Sequence, residues 1–429
     1  MYLAYSFVLS LILIPTFIIK ALAHGKYLTG LRQRLGFIPP VSGTSIIWLH
    51  CVSVGETMAA QPLVQRLKEQ FPRHSLVIST TTPAGQNLAR DLFARHAASI
   101  FYFPVDWRWC VRRSLKTIKP TTVIIMETER WPNFFRECKL MNIPLALVNG
   151  RISEQSYRKY LYIRSFAKQV FSCLTAAVMQ TEEDADRLHR LGLPREKLFT
   201  AGNLKFDVQI GKGPTEELKN RFALDSTVPL IIAASTHPPE EKIILESFTQ
   251  LITTQSVRLM LVPRHAERFD EVAGMIQKSG LSWARRTSPP APTDNAATVV
   301  LLDTIGELHA AFPLAQIVFV GGSLMEKGGH NVVEPAAAGV AVVTGPHTHN
   351  FQNIIALMKA AGAIIQLHIV EGAVASRELS GVFARLLENR SEREELGRRA
   401  KQLVLDNQGT ADRTLKIITP AILAATHTS

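Results

Sequence analysis

Short β-branched, apolar runs separated by segments of helical periodicity constrain this chain's fold more than any other feature. Runs at 46–49, 76–80, 122–126, 144–148 and 176–179 are spaced by helix-patterned segments such as 58–70 and 85–93. Parallel neighbours need a crossover between them, and helical crossovers bury both faces of the sheet. Strand, helix, strand at this spacing therefore predicts a parallel sheet between helices. The series recurs at 230–234, 258–262, 299–302, 317–320, 341–344 and 363–366. Between the two sets stands Gly211-Lys212-Gly213-Pro214, a breaker cluster that reads as a linker. Residues 287–297 read as a surface loop. At 429 residues the chain is too long for one ordinary core. The expected fold class is α/β, with two doubly wound Rossmann-like domains facing across a cleft. The expected divisions are 1–23, 24–210 and 211–429.

The first 23 residues read as a membrane anchor. From Tyr2 to Ile19 no side chain is charged, and Lys20, Lys26, Arg32 and Arg34 follow on one side only. At about 1.5 Å per residue this run approaches the roughly 30 Å of a hydrocarbon core. Basic residues on the C-terminal flank place the rest of the chain in the cytoplasm. Ala21-Leu22-Ala23 resembles a cleavage site, but no Lys or Arg precedes the apolar run as a signal peptide requires. The expectation is a single-pass, uncleaved N-terminal anchor.

Lys and Arg number 48 against 36 Asp and Glu, a formal charge of +12. Such a surface suits an anionic partner: nucleic acid, acidic lipid or a phosphorylated small molecule. Basic and aromatic residues mix in 107–113 and 156–168, a composition suited to base stacking or to a membrane interface, and equally to a solvated helix. Next to an anchor, the membrane surface is the expected partner and nucleic acid is not. The four cysteines are widely spaced, which fits neither a disulfide framework nor a zinc site. The histidines include no H-E-x-x-H pair, and no D-x-D motif ends a strand. No metal and no cofactor is expected.

In open α/β sheets ligands bind beyond the carboxyl ends of the strands, so the motifs there carry the chemistry. Val52-Ser53-Val54-Gly55-Glu56 follows the first run. Gly55 allows a sharp turn and close approach, and Glu56 is either a partner of the helix dipole or a carboxylate able to take a proton from a hydroxyl. Met126-Glu127-Thr128-Glu129-Arg130-Trp131-Pro132-Asn133 ends another run, with Arg130 a candidate partner for either carboxylate. Lys205, in Gly202-Asn203-Leu204-Lys205-Phe206-Asp207, is either a solvated linker residue or a stabiliser of developing negative charge. In the second set, Arg264 and His265 end a strand, and a guanidinium matches a phosphate with two parallel hydrogen bonds. Gly321-Gly322-Ser323 suits an anion cradle in which Gly322 and Ser323 contact phosphate. Gly306 with Glu307, and the stretch Asn331, Val332, Val333, Glu334, follow two further strands. A carboxylate such as Glu334 can hold both hydroxyls of a ribose.

Together these motifs resemble the 3-deoxy-D-manno-octulosonic acid (Kdo) transferases of lipopolysaccharide assembly. The resemblance also takes in Ala234-Ser235-Thr236-His237 and runs over nearly the whole chain. It implies a GT-B fold, CMP-Kdo as donor, a tetraacylated lipid A precursor as acceptor, and the inner face of the cytoplasmic membrane as location. It implies Glu56 as catalytic base, with Glu127 or Glu129 and Lys205 assisting the transition state. Arg264, His265, Gly306, Glu307 and residues 331–334 would bind CMP. The competing readings are another GT-B envelope enzyme using a UDP-sugar, and a basic membrane-anchored binding protein without activity.

Overall fold

The computed structural model describes residues 1–2, 4–7, 9, 11, 29–43, 45–127, 131–208, 215–224, 228–368 and 372–424. It divides into two units: Met1–Asp207 together with Gly409–Ser429, and Val208–Gln408.

The first unit is built on seven parallel strands: β1 (Ile46–His50), β2 (Ser75–Thr80), β3 (Ser99–Tyr102), β4 (Thr122–Met126), β5 (Leu145–Gly150), β6 (Ala176–Met179) and β7 (Leu198–Thr200). Their spatial order is β3-β2-β1-β4-β5-β6-β7, so the winding reverses between β1 and β4. Every residue of β1, β4 and β5 is buried, the signature of a sheet covered on both faces. Ile47, Trp48 and Leu49 are at most 1% exposed, each burial worth about 1.5–3 kcal/mol. The expected helix 58–70 is two helices, Val54–Ala59 and Gln61–Gln70, with Pro62 in the first turn of the second. Proline has no amide to give to the preceding turn, so it begins a new helix.

The second unit carries β8 (Leu230–Thr236), β9 (Arg258–Pro263), β10 (Trp283–Arg285), β11 (Val299–Leu301), β12 (Ile317–Val320), β13 (Ala341–Thr344) and β14 (Ile365–Gln366). Their order is β10-β11-β9-β8-β12-β13-β14, all parallel, with the reversal between β8 and β12. Register shifts fall at the carboxyl ends of β5 and β8. There Asn149 and Ser235 have φ of 53° and 56°. Such bulges re-aim the side chains that follow.

The C-terminal segment lies elsewhere than the expected 211–429 domain. Helix Thr410–Ala424 places Ala411, Leu415, Ile418 and Ile422 in the core beneath β1, β4 and β5. Asp207 holds its start: the carboxylate accepts from the backbone amides of Gly409, Thr410 and Ala411 at 2.7, 3.1 and 2.5 Å. An amphipathic helix is read from sequence by its period, which does not say which sheet it covers.

Among the described residues no helix is long and apolar enough to cross a membrane. Most of the expected anchor, including 12–23, and the linker 211–214 lie outside the described residues. At its start, Tyr2 and Tyr5 pack against Phe166, and Asn133 Nδ2 donates to Ser6 Oγ at 3.0 Å.

Candidate active site

In the first unit the functional side chains gather at the reversal between β1 and β4. Past β1, the chain turns at Val52 and enters helix Val54–Ala59. Glu56 is 7% exposed and folds back, its Oε2 accepting the Val52 N–H at 2.8 Å. The expected role of Gly55 in a sharp turn is not what the fold uses. A Cβ there would meet only Ser53 Oγ, at 3.9 Å. The tight glycine is Gly85, whose Cβ would sit 2.9 Å from Thr82 Oγ1 and 3.3 Å from the Ser53 carbonyl carbon. Its absence lets helix Pro83–Phe93 close on the turn that carries Glu56.

Glu127 follows β4 in the left-handed region, φ 55°, a conformation costing a non-glycine residue about 1–3 kcal/mol. Its amide still donates to Val148 O at 2.9 Å, so the strand holds it there. The side chain is buried between two cations: Oε2 lies 3.6 Å from Arg151 Nε and Oε1 3.9 Å from Lys205 Nζ. Glu129 and Arg130 lie outside the described residues.

Lys205 sits in a one-turn helix, Leu204–Phe206, pinned from three strand ends. Asn149 Oδ1 accepts from Leu204 N at 3.0 Å, and Asn203 Oδ1 accepts from Lys205 N at 3.0 Å. Gln180 ties them together, donating to Asn149 O at 3.0 Å and accepting from Asn203 Nδ2 at 3.1 Å. Burial holds the Lys205 ammonium below its ordinary pKa; Glu127 and Glu56 pull it up and Arg151 pushes it down. Buried Cys51 senses the same charges, its thiol pushed well up first by burial and then by Glu56 and Glu127. Glu56, Glu127 and Lys205 thus share one electrostatic site. Arg151, Asn149 and Gln180 were not expected there. The only local signal is polar residues closing buried strands.

In the second unit the expected residues are less uniform. Arg264 and His265 are exposed at the end of β9. Glu334 is mostly buried: Oε1 accepts from Asn331 Nδ2 at 2.8 Å and Oε2 lies 3.5 Å from His309 Nδ1. Burial pushes its carboxyl up, against the pull of His309 and Asn331. Val332 and Val333 are buried, and Val333 N donates to Asn331 Oδ1 at 3.0 Å.

Two expectations meet an occupied partner. Glu307 is bound by both arms of Arg286, at 2.9 and 2.8 Å, and by Thr304 Oγ1 at 2.6 Å, which holds its carboxyl low. Gly306 beside it has φ 93° and open space around it. The Gly321-Gly322-Ser323 loop does cradle an anion, but a protein one. Buried Glu240 accepts the amides of Gly322, Ser323 and Leu324 at 2.7, 2.9 and 2.9 Å, and that of His237 at 2.9 Å. Ser323 Oγ is spent on Val320 O and the Gly345 amide. These donors hold the loop and are not offered to a phosphate, a correction to the expected cradle. Glycine loops and carboxylates far apart in sequence give no local sign of such pairing. Among the described residues no group of three or more His, Cys, Asp or Glu side chains is placed to hold a metal ion.

Two parallel seven-stranded sheets, each with a winding reversal and polar strand ends, define the class: proteins made of two Rossmann-like units. Solved structures share this fold. Anabaena HepE in complex with UDP matches with a TM-score of 0.55 at 13% identity, over 88% of this chain and 99% of that one. UDP-GlcNAc 2-epimerase from Neisseria meningitidis matches with 0.54 at 13% identity, over 85% and 99%. The family model described as 3-deoxy-D-manno-octulosonic-acid transferase (kdotransferase) matches residues 29–208. The chain is 33% identical over 402 residues to the 3-deoxy-D-manno-octulosonic acid transferase of Haemophilus influenzae, spanning 92% of each. Against that of Bordetella pertussis it is 32% identical over 390 residues, 89% of each. The chain belongs to the 3-deoxy-D-manno-octulosonic acid transferases, a family of glycosyltransferases.

Proposed function

We propose that this protein moves Kdo from CMP-Kdo to a lipid A precursor, in a GT-B enzyme whose first unit handles the acceptor and whose second holds the nucleotide. The observation that carries the reading is the grouping of Glu56, Glu127 and Lys205 at the β1/β4 reversal. Glu56 is the base: it takes the proton of a sugar hydroxyl as that oxygen attacks the anomeric carbon of Kdo. The transition state is oxocarbenium-like, and negative charge gathers on the departing CMP. Attack on one face and departure from the other inverts the centre without a covalent intermediate. Lys205, held against Glu127, supplies positive charge to the carboxylate-bearing donor. Glu129 keeps its place as the alternative acidic partner.

Arg264, His265, Gly306 and residues 331–334 are assigned to CMP, with Glu334 on the ribose. The engagement of Glu307 with Arg286 gives it the task of shaping the turn around Gly306. Gly322 and Ser323 are assigned to the loop, not to the phosphate.

A membrane surface suits the acceptor. Among the residues of helix Glu154–Tyr162 none is buried, and Tyr162 is 90% exposed beside exposed Leu161 and Ile163. Arg158, Lys159 and Arg164 flank this tip, a composition that favours an anionic lipid interface. Attachment to the inner-membrane surface, with the catalytic units cytoplasmic, is part of the same proposal.

Incubating the purified protein with CMP-Kdo and lipid A precursor, then weighing the product by mass spectrometry, tests the reading. A mass gain of one or more Kdo residues supports it. No gain with CMP-Kdo, but transfer from a UDP-sugar, would establish the other envelope enzyme.

A further inference from the structure

Two histidine rings meet across the winding reversal of the second sheet, from the loops that follow β8 and β12. Nε2 of His237 and Nε2 of His330 are 2.8 Å apart, and the ring planes lie within 6° of each other. His237 comes directly after β8 and is 9% exposed. His330 reaches it because Gly322, at φ 65°, lacks the Cβ that would sit 2.8 Å from the His330 ring. A contact between two such nitrogens requires that one carry a proton and the other a bare lone pair. At least one ring of the pair is therefore uncharged.

Its surroundings are positive. His265 lies edge-on to His237, with ring centroids 5.0 Å apart. Burial, then His265, Lys327, Arg264 and Arg268, hold His237 down to about 4, and burial with His237, Arg264 and His265 holds His330 down to about 3. The nearby carboxylates are engaged: Glu240 by four backbone amides, Glu241 by Thr236 and Arg268, Glu271 by Arg268, and Glu267 lies 3.9 Å from His265. Two bare rings in a positive field at a switch point are arranged for an anion that is supplied from outside.

We propose that His237 and His330 form a phosphate-binding pair that takes up one proton from solvent when the nucleotide's phosphate binds. A phosphate oxygen accepts the N–H that joined the rings. The nitrogen left bare then gains the solvent proton, and both rings donate to the anion. Only hydrogen bonds are exchanged, and the added proton matches the added negative charge. In the transfer reaction the same imidazolium faces the charge that collects on departing CMP. The inference rests on reading the second unit as the nucleotide-binding half.

Calorimetric titration of the full chain with CMP, at mildly alkaline pH where its phosphate is already a dianion, tests it in two buffers of different ionisation heat. The expected result is uptake of about one proton per CMP bound, and none with cytidine, which has no phosphate. His330→Gln and His237→Gln each remove the uptake and weaken CMP binding about tenfold or more, while cytidine binding is unchanged. CMP binding without uptake in the unaltered protein, or equal uptake in the variants, overturns the proposal. Failure to bind either CMP or cytidine overturns the nucleotide assignment itself. The comparison of CMP with cytidine on the unaltered protein decides the matter even where a variant does not fold.

Discussion

Glu56 and Lys205 are both buried, but the substitutions that test them differ in kind. Glu56→Gln retains an oxygen for the Val52 amide, so the turn after β1 should survive. Loss of the base should lower kcat by about 10²–10⁴-fold, with an unchanged thermal midpoint. Near-normal turnover would remove Glu56 from the role of base. Lys205 offers a pH test. Its pKa is depressed by burial, so its charge is lost as pH rises through a value below the usual lysine range. If that charge assists transfer, kcat/KM should fall on the alkaline side of the unaltered enzyme. Lys205→Arg should move that fall to higher pH, since a guanidinium stays charged. Coincident alkaline limbs would refute the assignment. Glu56 is readable in the sequence because it follows a buried run, and Lys205 because it stands in the polar motif 202–207 beside the linker. The sequence left Arg151, Gln180 and Glu240 unread because their partners lie far along the chain: Glu127, Asn203, and the amides of 322–324.

At the scale of elements, the strands that were legible carry continuous apolar runs, most of them buried along their whole length. Those missed, β3, β7 and β10, have only three or four residues and are not wholly buried, so little hydrophobic pattern marks them. Helix Thr410–Ala424 was expected only within the 211–429 domain, because the sheet a helix docks on is not written in its own residues. Asp207 supplies that docking with three accepted amides, so Asp207→Ala should cost about 1–2 kcal/mol in urea unfolding of the first unit. Ile418→Ala, beneath the sheet, should cost about 2–5 kcal/mol. A C-terminal helix that only decorates the surface would leave both midpoints unmoved. Asp106 tests another helix start, accepting the amides of Asn133 and Phe134 at 3.0 and 2.8 Å. Burial raises its pKa from 3.8 to about 7. A raised carboxyl binds its proton more tightly when folded. Its stabilising share is thus complete below pH 3.8 and is lost as pH climbs to about 7. Unfolding free energies measured across that window should fall more steeply for the unaltered protein than for Asp106→Asn. Parallel curves would mean that the buried carboxyl does not titrate there.

For the whole molecule, the charge of +12 has to be reconciled with a surface that also exposes aromatic rings. A nucleic-acid partner would place rings and cations along a groove for stacked bases. Here Leu161, Tyr162 and Ile163 end a helix with no buried residue, and cations flank them, as a lipid interface requires. Each Lys or Arg near an anionic bilayer contributes about 1 kcal/mol, screened within a Debye length. Replacing Arg158, Lys159 and Arg164 together by Ala should then weaken binding to vesicles of anionic lipid by about 3 kcal/mol, roughly two orders of magnitude in partitioning. A chain beginning at residue 29 tests this surface without the first 28 residues. The unaltered form of that chain should sediment with anionic vesicles at low salt, release as salt rises, and ignore neutral vesicles. If the triple variant partitions as the unaltered chain does, the basic rim is only solvated and the acceptor must be reached by another face.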